Sequence, residues 1–202
     1  MKRTLTKTTD RIIANNLNAW LSQATWRNIC AGKRWYKEAQ SFTKKVSKKY
    51  KVDKYIVAAV VSALSPNNKW IRNKQDAESM IDAFKSGRSI DSFKCCTYNA
   101  NKRKAWAILH EDVTLVAKSP KTHSFAMNIG RLSDKHVTID KWHIRACLCK
   151  PREGIVDTVE SITATQYRRI EAITARIAED HKIKAYEAQA IIWVTIKEGW
   201  NR

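Results

Sequence analysis

The amino-acid sequence predicts an all-α fold, and three observations support that prediction. Apolar residues recur mainly at helical spacing, and β signals are scarce. The chain has only five Gly and three Pro in 202 residues, so few positions interrupt a helix. Hydrophobic residues make up 44% of the chain, which is enough for a compact core and argues against disorder. We expect about eight or nine helices in one compact arrangement.

The predicted helices follow one another in chain order at residues 9–29, 34–50, 54–64, 74–85, 99–110, 120–129, 141–149, 164–180 and 184–198. The first is either one amphipathic helix or a broken pair that ends near Gly32. Asp53 can cap the apolar third helix, which stops before Pro66 because the residue preceding a proline avoids the α conformation. Asn73 can cap the fourth helix, and Gly87 is a C-terminal signal beyond its end.

Capping signals also place the later helices. Ser119 followed by Pro120 is a good N-cap and first helical residue. Asp140 has the same capping role after a short apolar rise, and Gly154 marks a loop beyond that helix. Gly199 is the expected terminator of the last helix.

The charge is high and unevenly distributed. There are 38 Lys and Arg against 19 Asp and Glu, a formal net charge of +19. Residues 1–51 carry 13 basic and 2 acidic side chains, whereas residues 152–202 carry 8 of each. Such an excess and such a gradient favour a basic face that binds a polyanion, with an affinity that falls steeply as salt rises. A solvated basic helix at residues 44–51 accounts for only part of the excess.

No linker is long enough to separate independent domains. We therefore expect residues 1–52 to form a basic helical extension packed on a core domain of residues 53–202. The most hydrophobic segment, Tyr55–Leu64, is too short to cross a bilayer, and the basic N-terminus lacks the apolar stretch of a signal peptide. The expected protein is a cytoplasmic monomer that does not bind membranes.

The cysteines and histidines do not predict a metal site. Five cysteines are an odd number without secretory context, so reduced thiols are expected. The pairs Cys95–Cys96 and Cys147–Cys149 do not have zinc-ligand spacing, and the histidines at 123, 136 and 143 lie on different predicted elements. We expect neither a metal nor a cofactor.

Two candidate catalytic side chains lie at predicted helix starts. Lys121 and Asp140 each fall in the first turn of a helix, where unpaired N–H groups bind anions. A helix start also disfavours the charged form of a nearby lysine, and a neutral lysine can attack an electrophilic carbon. A nearby carboxylate can stabilise developing positive charge or carry a proton. The alternatives remain open: Asp140 as a simple cap, and Lys121 as a solvated or phosphate-binding lysine.

Several short motifs, in order, resemble a known superfamily. They are SALSPNN at residues 62–68, Lys104-Ala105, SPKT at residues 119–122, and TIDKWHIR at residues 138–145. Their order and the Lys-to-Asp separation resemble the helix-hairpin-helix DNA glycosylases, the endonuclease III and oxoguanine glycosylase group. The likeness covers about residues 53–149. Short phage-type members of this fold, which process hypermodified thymidines, share the same style of motif.

The resemblance implies a two-lobed helical bundle that binds duplex DNA, flips a base and cleaves its glycosidic bond in DNA repair. It implies that Asp140 is the catalytic carboxylate and Lys121 the Schiff-base nucleophile of a glycosylase with abasic-site lyase activity. The implied DNA-binding residues are Lys118, Ser119, Thr122, Asn67, Asn68 and Arg145. The candidate base-pocket residues are Trp70, His123, Trp142 and His143.

The chain departs from the family pattern in two places. The hairpin turn is Lys118-Ser119-Pro120, without the two usual glycines, and proline lacks an N–H donor. The four-cysteine iron–sulfur loop is absent. Three functions stay open: the glycosylase/lyase, a phage enzyme of this fold that acts on hypermodified pyrimidines, and a non-catalytic DNA-binding module. Arg145 could also simply pair with a carboxylate, and Trp20, Trp106 and Trp193 are expected in the core.

Overall fold

A computed structural model describes residues 4–95, 97–153 and 161–200. Within these ranges every regular element is a helix, which confirms the predicted all-α class. The α-helices are α1 (Asp10–Gln23), α2 (Trp26–Tyr50), α3 (Lys54–Leu64), α4 (Trp70–Lys85), α5 (Asn99–Leu109), α6 (Thr114–Ala117), α7 (Pro120–Ile129), α8 (Lys141–Leu148), α9 (Ala164–Asp180) and α10 (Ala185–Trp200). Single 3₁₀ turns occur at Leu5–Lys7 and Ile90–Ser92. The expected loop at Gly154 and the thiol of Cys96 lie outside the described residues.

The chain divides into two compact units. Unit 1 comprises Met1–Lys37 and Asp134–Arg202, and unit 2 comprises Glu38–Ser133. The predicted boundary between residues 52 and 53 does not coincide with this division. This division groups residues 1–37 with the C-terminal helices through contacts distant in sequence.

In unit 1, α1 packs against α8, α9 and α10. The apolar stripe of α1 faces this core, where Leu17 is fully buried beside Ile170 and Ile192. Trp20 is buried as expected, and its indole N–H donates to the carbonyl of Cys149 at 2.7 Å. The core therefore fixes the end of α8, the helix that follows Asp140.

In unit 2, α3 is the central helix and packs against α4, α5 and α7. Residues 57–64 are all buried, as expected for a helix that is apolar on every side. Asp53 caps α3 as predicted, because its carboxylate accepts the N–H of Tyr55 at 2.7 Å. Trp106 and Trp193, which were expected in the core, are only half-buried, the former here on α5 and the latter on α10 of unit 1.

Two predicted helix boundaries at glycines are wrong. α2 continues through Gly32, where a Cβ atom would lie 2.7 Å from the backbone nitrogen of Ile191. Gly32 therefore allows α2 and α10 to approach closely, and it does not end a helix. Gly199 lies inside α10. Gly87, by contrast, follows the end of α4 with φ of 67°, as predicted.

The start of α4 also differs from the prediction. The helix begins at Trp70, and Asn73 lies within its first turn and is buried. The Asn73 amide donates to the carbonyl of Val61 at 3.1 Å, so it joins α4 to α3. A polar residue that looked like a cap is instead a contact between two helices.

Among the described residues, none of the helices combines the length and the apolar character that a membrane span requires.

Candidate active site

A short extended segment leads to Asp140 in unit 1. Val137, Thr138 and Ile139 are buried, and the hydroxyl of Tyr167 joins both ends of the segment. The Tyr167 oxygen accepts the N–H of Ile139 at 3.1 Å and donates to the carbonyl of Val137 at 2.7 Å. The carboxylate of Glu171 accepts the N–H of Val137 at 3.0 Å. These bonds fix the backbone immediately before Asp140.

Asp140 is the N-cap of α8. One carboxylate oxygen accepts the N–H groups of Trp142 at 3.0 Å and His143 at 2.9 Å. The residue has φ of −104° and ψ of −179° and is half-buried. The capping interpretation is therefore confirmed, and it is compatible with a catalytic role because the same two bonds orient the carboxylate.

Three further candidate residues, Trp142, His143 and Arg145, lie on α8, which begins directly after Asp140. The guanidinium carbon of Arg145 is 4.5 Å from the centroid of the Trp142 ring, a stacking distance. Arg145 is only 8% exposed, which favours a structural role of this side chain within the fold over a direct contact with DNA. Trp142 is half-buried and packs against the unit 1 core, so part of its surface remains accessible.

His143 is completely buried. Its Nε2 lies 2.9 Å from Oγ1 of Thr174, whose hydroxyl donates to the carbonyl of Ile170, so Nε2 must donate. Among the described residues, Nδ1 has no hydrogen-bond partner. Burial lowers the pKa of His143 from 6.5 to about 4. With no exposed surface, His143 could influence a bound base only through its neighbours.

In unit 2, the start of α7 carries Lys121. The Ser119 side chain caps the helix by accepting the N–H of Thr122 at 3.5 Å, and Pro120 is the first helical residue as predicted. The hydroxyl of Ser62 on α3 donates to the carbonyl of Thr122 at 2.7 Å, which anchors the first turn. Lys121 itself is exposed to solvent.

Two further lysines of unit 2 are close enough to influence each other. Lys104 on α5 is half-buried, whereas Lys118 is exposed in the turn between α6 and α7. Burial, and then the charge of Lys118, lower the pKa of Lys104. Among the described residues, neither lysine side chain forms an ion pair or a hydrogen bond. Within that part of the chain, the exposed Lys118 therefore presents positive charge in the turn between α6 and α7 without a carboxylate partner.

The loop of residues 65–69 is held by side-chain amides. Asn67 has φ of 56°, and its amide donates to the hydroxyl of Tyr98 at 3.1 Å. The amide of Asn68 donates to the carboxylate of Asp76 at 2.9 Å. Asn67 and Tyr98 are both exposed, so this pair is accessible from solvent, whereas Asn68 mainly supports the turn.

Two predicted base-pocket residues also belong to unit 2. Trp70 is half-buried, and its ring lies edge-on to Phe42 at 6.4 Å and to Phe125 at 6.3 Å between centroids. His123 is half-buried on α7. Their proposed contacts with a base stay predictions.

The candidate residues fall into two groups. The group in unit 1 contains Asp140, Trp142, His143 and Arg145. The group in unit 2 contains Lys118, Ser119, Lys121, Thr122, His123, Asn67, Asn68 and Trp70. Sequence reasoning missed Tyr167 and Glu171, which position Asp140 from α9 and show no local sequence signal. Across the described ranges, no group of three His, Cys, Asp or Glu side chains is arranged to hold a metal ion.

Comparison with known proteins adds one match. A model described as a family of unknown function, DUF7178, matches residues 1–200 of the chain. No curated protein and no solved structure matches it.

Proposed function

We propose that this chain, which belongs to the family of unknown function DUF7178, binds duplex DNA and cleaves the glycosidic bond of a flipped nucleotide. Asp140 is the proposed catalytic carboxylate, and Lys121 is the proposed nucleophile of an abasic-site lyase step. The proposed binding site for the DNA backbone is the group from α6 to α7, which consists of Lys118, Ser119 and Thr122. The support comes from the geometry of Asp140, the exposed lysines of unit 2 and the charge of the chain.

The observation that carries the proposal is the fixed carboxylate of Asp140. Cleavage of a glycosidic bond develops positive charge on the sugar, and a carboxylate held in place beside that charge lowers the barrier. In this protein two backbone N–H groups orient the carboxylate, while Tyr167 and Glu171 fix the preceding segment. Preorganisation of this kind stabilises a transition state without reorganisation during the reaction.

The start of α7 supplies groups suited to phosphate. Ser119 and Thr122 provide hydroxyls, and Lys118 provides exposed charge next to the start of a ten-residue helix, whose N-terminus is positive. Phosphate contacts of this type position a protein on DNA without reading its sequence. A net charge of +19 gives the chain the long-range attraction that such a partner requires.

Lys121 has the chemistry for a covalent step. Its neutral amine attacks C1′ of the sugar, the C1′–N bond breaks, and the base leaves with the electron pair and gains a proton. The nitrogen then loses one proton, and the C1′–O4′ bond breaks as O4′ takes its electron pair and gains a proton. The C1′=N bond that remains is a protonated iminium, which borohydride reduces to a stable amine. Water in place of Lys121 would release the base without any covalent adduct.

A panel of damaged, mismatched and hypermodified duplexes tests the proposal, with base release and strand scission measured separately. Asp140→Asn should abolish release yet keep the cap, because Asn is also a good N-cap. The matched control is Asp53→Asn, since Asp53 caps α3 through the same kind of bonds to two backbone N–H groups. Borohydride should trap a DNA adduct in the wild type and not in Lys121→Ala.

Each result has a defined meaning. Loss of release in Asp140→Asn but not in Asp53→Asn supports the catalytic assignment. Equal activity of the two variants contradicts it. Activity retained in Lys121→Ala without any adduct rules out the lyase step. Release of a modifying group with the base left in place supports the alternative function, an enzyme that acts on hypermodified pyrimidines.

The turn between α6 and α7 specifically favours a second candidate, a non-catalytic DNA-binding module. Lys118-Ser119-Pro120 has no glycine, and Pro120 has no N–H to offer a phosphate. Duplex binding that Asp140→Asn leaves intact, with no turnover on the entire panel, would support this candidate.

A further inference from the structure

The solvent face of α2 is strongly basic. This 25-residue helix carries eight Lys and Arg residues and a single acidic residue, Glu38. At 100° per residue, six cations fall within an arc of about 100°. These six, termed the α2 cations, are Arg27, Arg34, Lys37, Lys44, Lys45 and Lys48. All six are exposed.

The opposite face of α2 is buried. Tyr36, Ala39, Thr43 and Val46 are each at most 2% exposed. The apolar stripe of α2 is therefore packed in the core, whereas a basic amphipathic helix needs such a stripe free to insert into a membrane. Its accessible side is polar and positive.

The α2 cations lack side-chain partners in the part of the chain that the structure describes. Among the residues that the structure describes, none of the six forms an ion pair or a hydrogen bond through its side chain. Their neighbour Lys49 differs, because its ammonium lies 2.7 Å from the carboxylate of Glu78. The charge of Lys49 is thus compensated by Glu78, whereas no described side chain pairs with the six.

The stability of the helix does not explain this pattern. Lys44 and Lys48 are an i,i+4 pair of like charge, and Arg34 and Lys37 are an i,i+3 pair, which destabilise a helix. The helix dipole favours the lysines near the C-terminus but opposes Arg27 in the first turn. A polyanionic partner accounts for the whole face.

The geometry suits duplex DNA. Arg27, Arg34 and Lys37 belong to unit 1 and span about 15 Å along the helix axis, and Lys44, Lys45 and Lys48 belong to unit 2 and span about 6 Å. Since duplex DNA carries one negative charge per about 1.7 Å of its axis, each set can contact more than one phosphate. Trp26, at the start of α2, is 78% exposed and lies at the border of the same arc. An exposed tryptophan beside cations can contact sugar or base edges as well as phosphates.

We propose that the α2 cations form a second DNA-backbone-binding surface, additional to the group from α6 to α7. The identity of the partner rests on the proposed function, whereas the existence of a polyanion-binding face rests on the pattern of α2 alone. The surface contacts phosphates without reading sequence, so it raises the affinity for undamaged duplex.

The test is duplex affinity as a function of salt between about 50 and 200 mM, measured by fluorescence anisotropy on undamaged DNA. The variants are Lys44→Gln with Lys45→Gln and Lys48→Gln, and Arg27→Gln with Arg34→Gln and Lys37→Gln. The matched control, Lys7→Gln with Arg176→Gln and Lys182→Gln, removes three charges from exposed residues of unit 1 that lie outside α2. Thermal unfolding verifies that each triple variant is folded.

Each α2 variant should reduce the slope of log affinity against log salt by about 2 to 3, since each phosphate contact contributes about 0.9. The control should change the slope by less than about 1. Equal slopes for the α2 variants, the control and the wild type would overturn the proposal. So would an absence of duplex binding by the wild type, or a preference for anionic vesicles over DNA.

The outcome is distinguishable from that of the proposed function. A slope that depends on the α2 cations, with no base release from any duplex, supports the surface and removes the glycosylase. Base release together with a salt slope that is the same in the α2 variants and the wild type supports the glycosylase and contradicts the proposed α2 surface.

Discussion

The hydroxyl of Tyr167 accepts the backbone N–H of Ile139 at 3.1 Å, and it simultaneously donates to the carbonyl of Val137 at 2.7 Å. A single hydroxyl of α9 thereby pairs two backbone groups of this segment, while Glu171 of the same helix accepts a third, the N–H of Val137. Both backbone groups are buried, so without the hydroxyl they would lose their hydrogen bonds. The position of Asp140, one residue later, depends on this contact.

Replacing Tyr167 with Phe should therefore lower the free energy of unfolding by about 1–3 kcal/mol, the cost of leaving buried polar groups unpaired. Chemical denaturation measures the change. Tyr98→Phe is the control, because Tyr98 is 63% exposed and its hydroxyl bonds only a surface amide. An equal loss in both variants would contradict the role given to Tyr167.

Alanine substitution of Gly32 and of Gly199 should change the stability of the protein in opposite directions. In Gly32→Ala the new methyl group would lie 2.7 Å from the nitrogen of Ile191, so α2 must move away from α10. We expect a loss of about 1–3 kcal/mol in the free energy of unfolding. In Gly199→Ala the nearest atom, on Trp20, is 3.9 Å away, and helix propensity should raise stability by up to about 1 kcal/mol. Thermal melts of both variants that shift in the same direction would contradict this account.

These glycines also show where sequence reasoning stops. Local signals placed Asp53, Ser119 and Asp140 at helix starts, because a cap bonds the backbone only two or three residues away. Gly32, by contrast, was predicted to end a helix. That prediction failed because Gly32 instead allows a close approach to Ile191, a residue distant in sequence.

In the candidate site, too, local features could be predicted from the sequence and distant contacts could not. Asp140 could be identified from its own motif, but Tyr167 and Glu171, which position it, lie 28 or more residues away from the backbone groups they bind. Nothing near them in sequence marks that function. The α2 cations could be recognised as basic from composition, whereas their lack of partners could be seen only in the folded protein.

His143 should make stability depend on pH. Burial lowers its pKa from 6.5 to about 4, so between these values the unfolded chain binds the extra proton and the folded protein does not. Stability from this residue is therefore complete above about pH 6.5 and is lost as the pH falls towards 4, by up to about 3 kcal/mol.

Denaturant unfolding of the wild type and His143→Leu across this range measures the contribution. The leucine variant loses the bond to Thr174 and is expected to be less stable at pH 7.5. As the pH falls from about 6.5 to 4, the gap between the two proteins should shrink, because only the wild type carries the buried titrating group. A constant gap would mean that His143 does not titrate differently in the folded state.

Arg145 provides a test of which cations touch DNA. It is 8% exposed and stacks on Trp142, so it is expected to stabilise α8 without neutralising a phosphate. Arg145→Gln should lower the free energy of unfolding by about 1–2 kcal/mol through lost packing and stacking. The salt dependence of duplex binding should stay that of the wild type.

Lys118, an exposed lysine in the turn before α7, provides the comparison. Lys118→Gln should have the opposite signature, with unchanged stability and a salt slope smaller by about 1. A reduced slope in Arg145→Gln with full stability would instead place Arg145 on the DNA backbone, because only a lost phosphate contact changes counterion release.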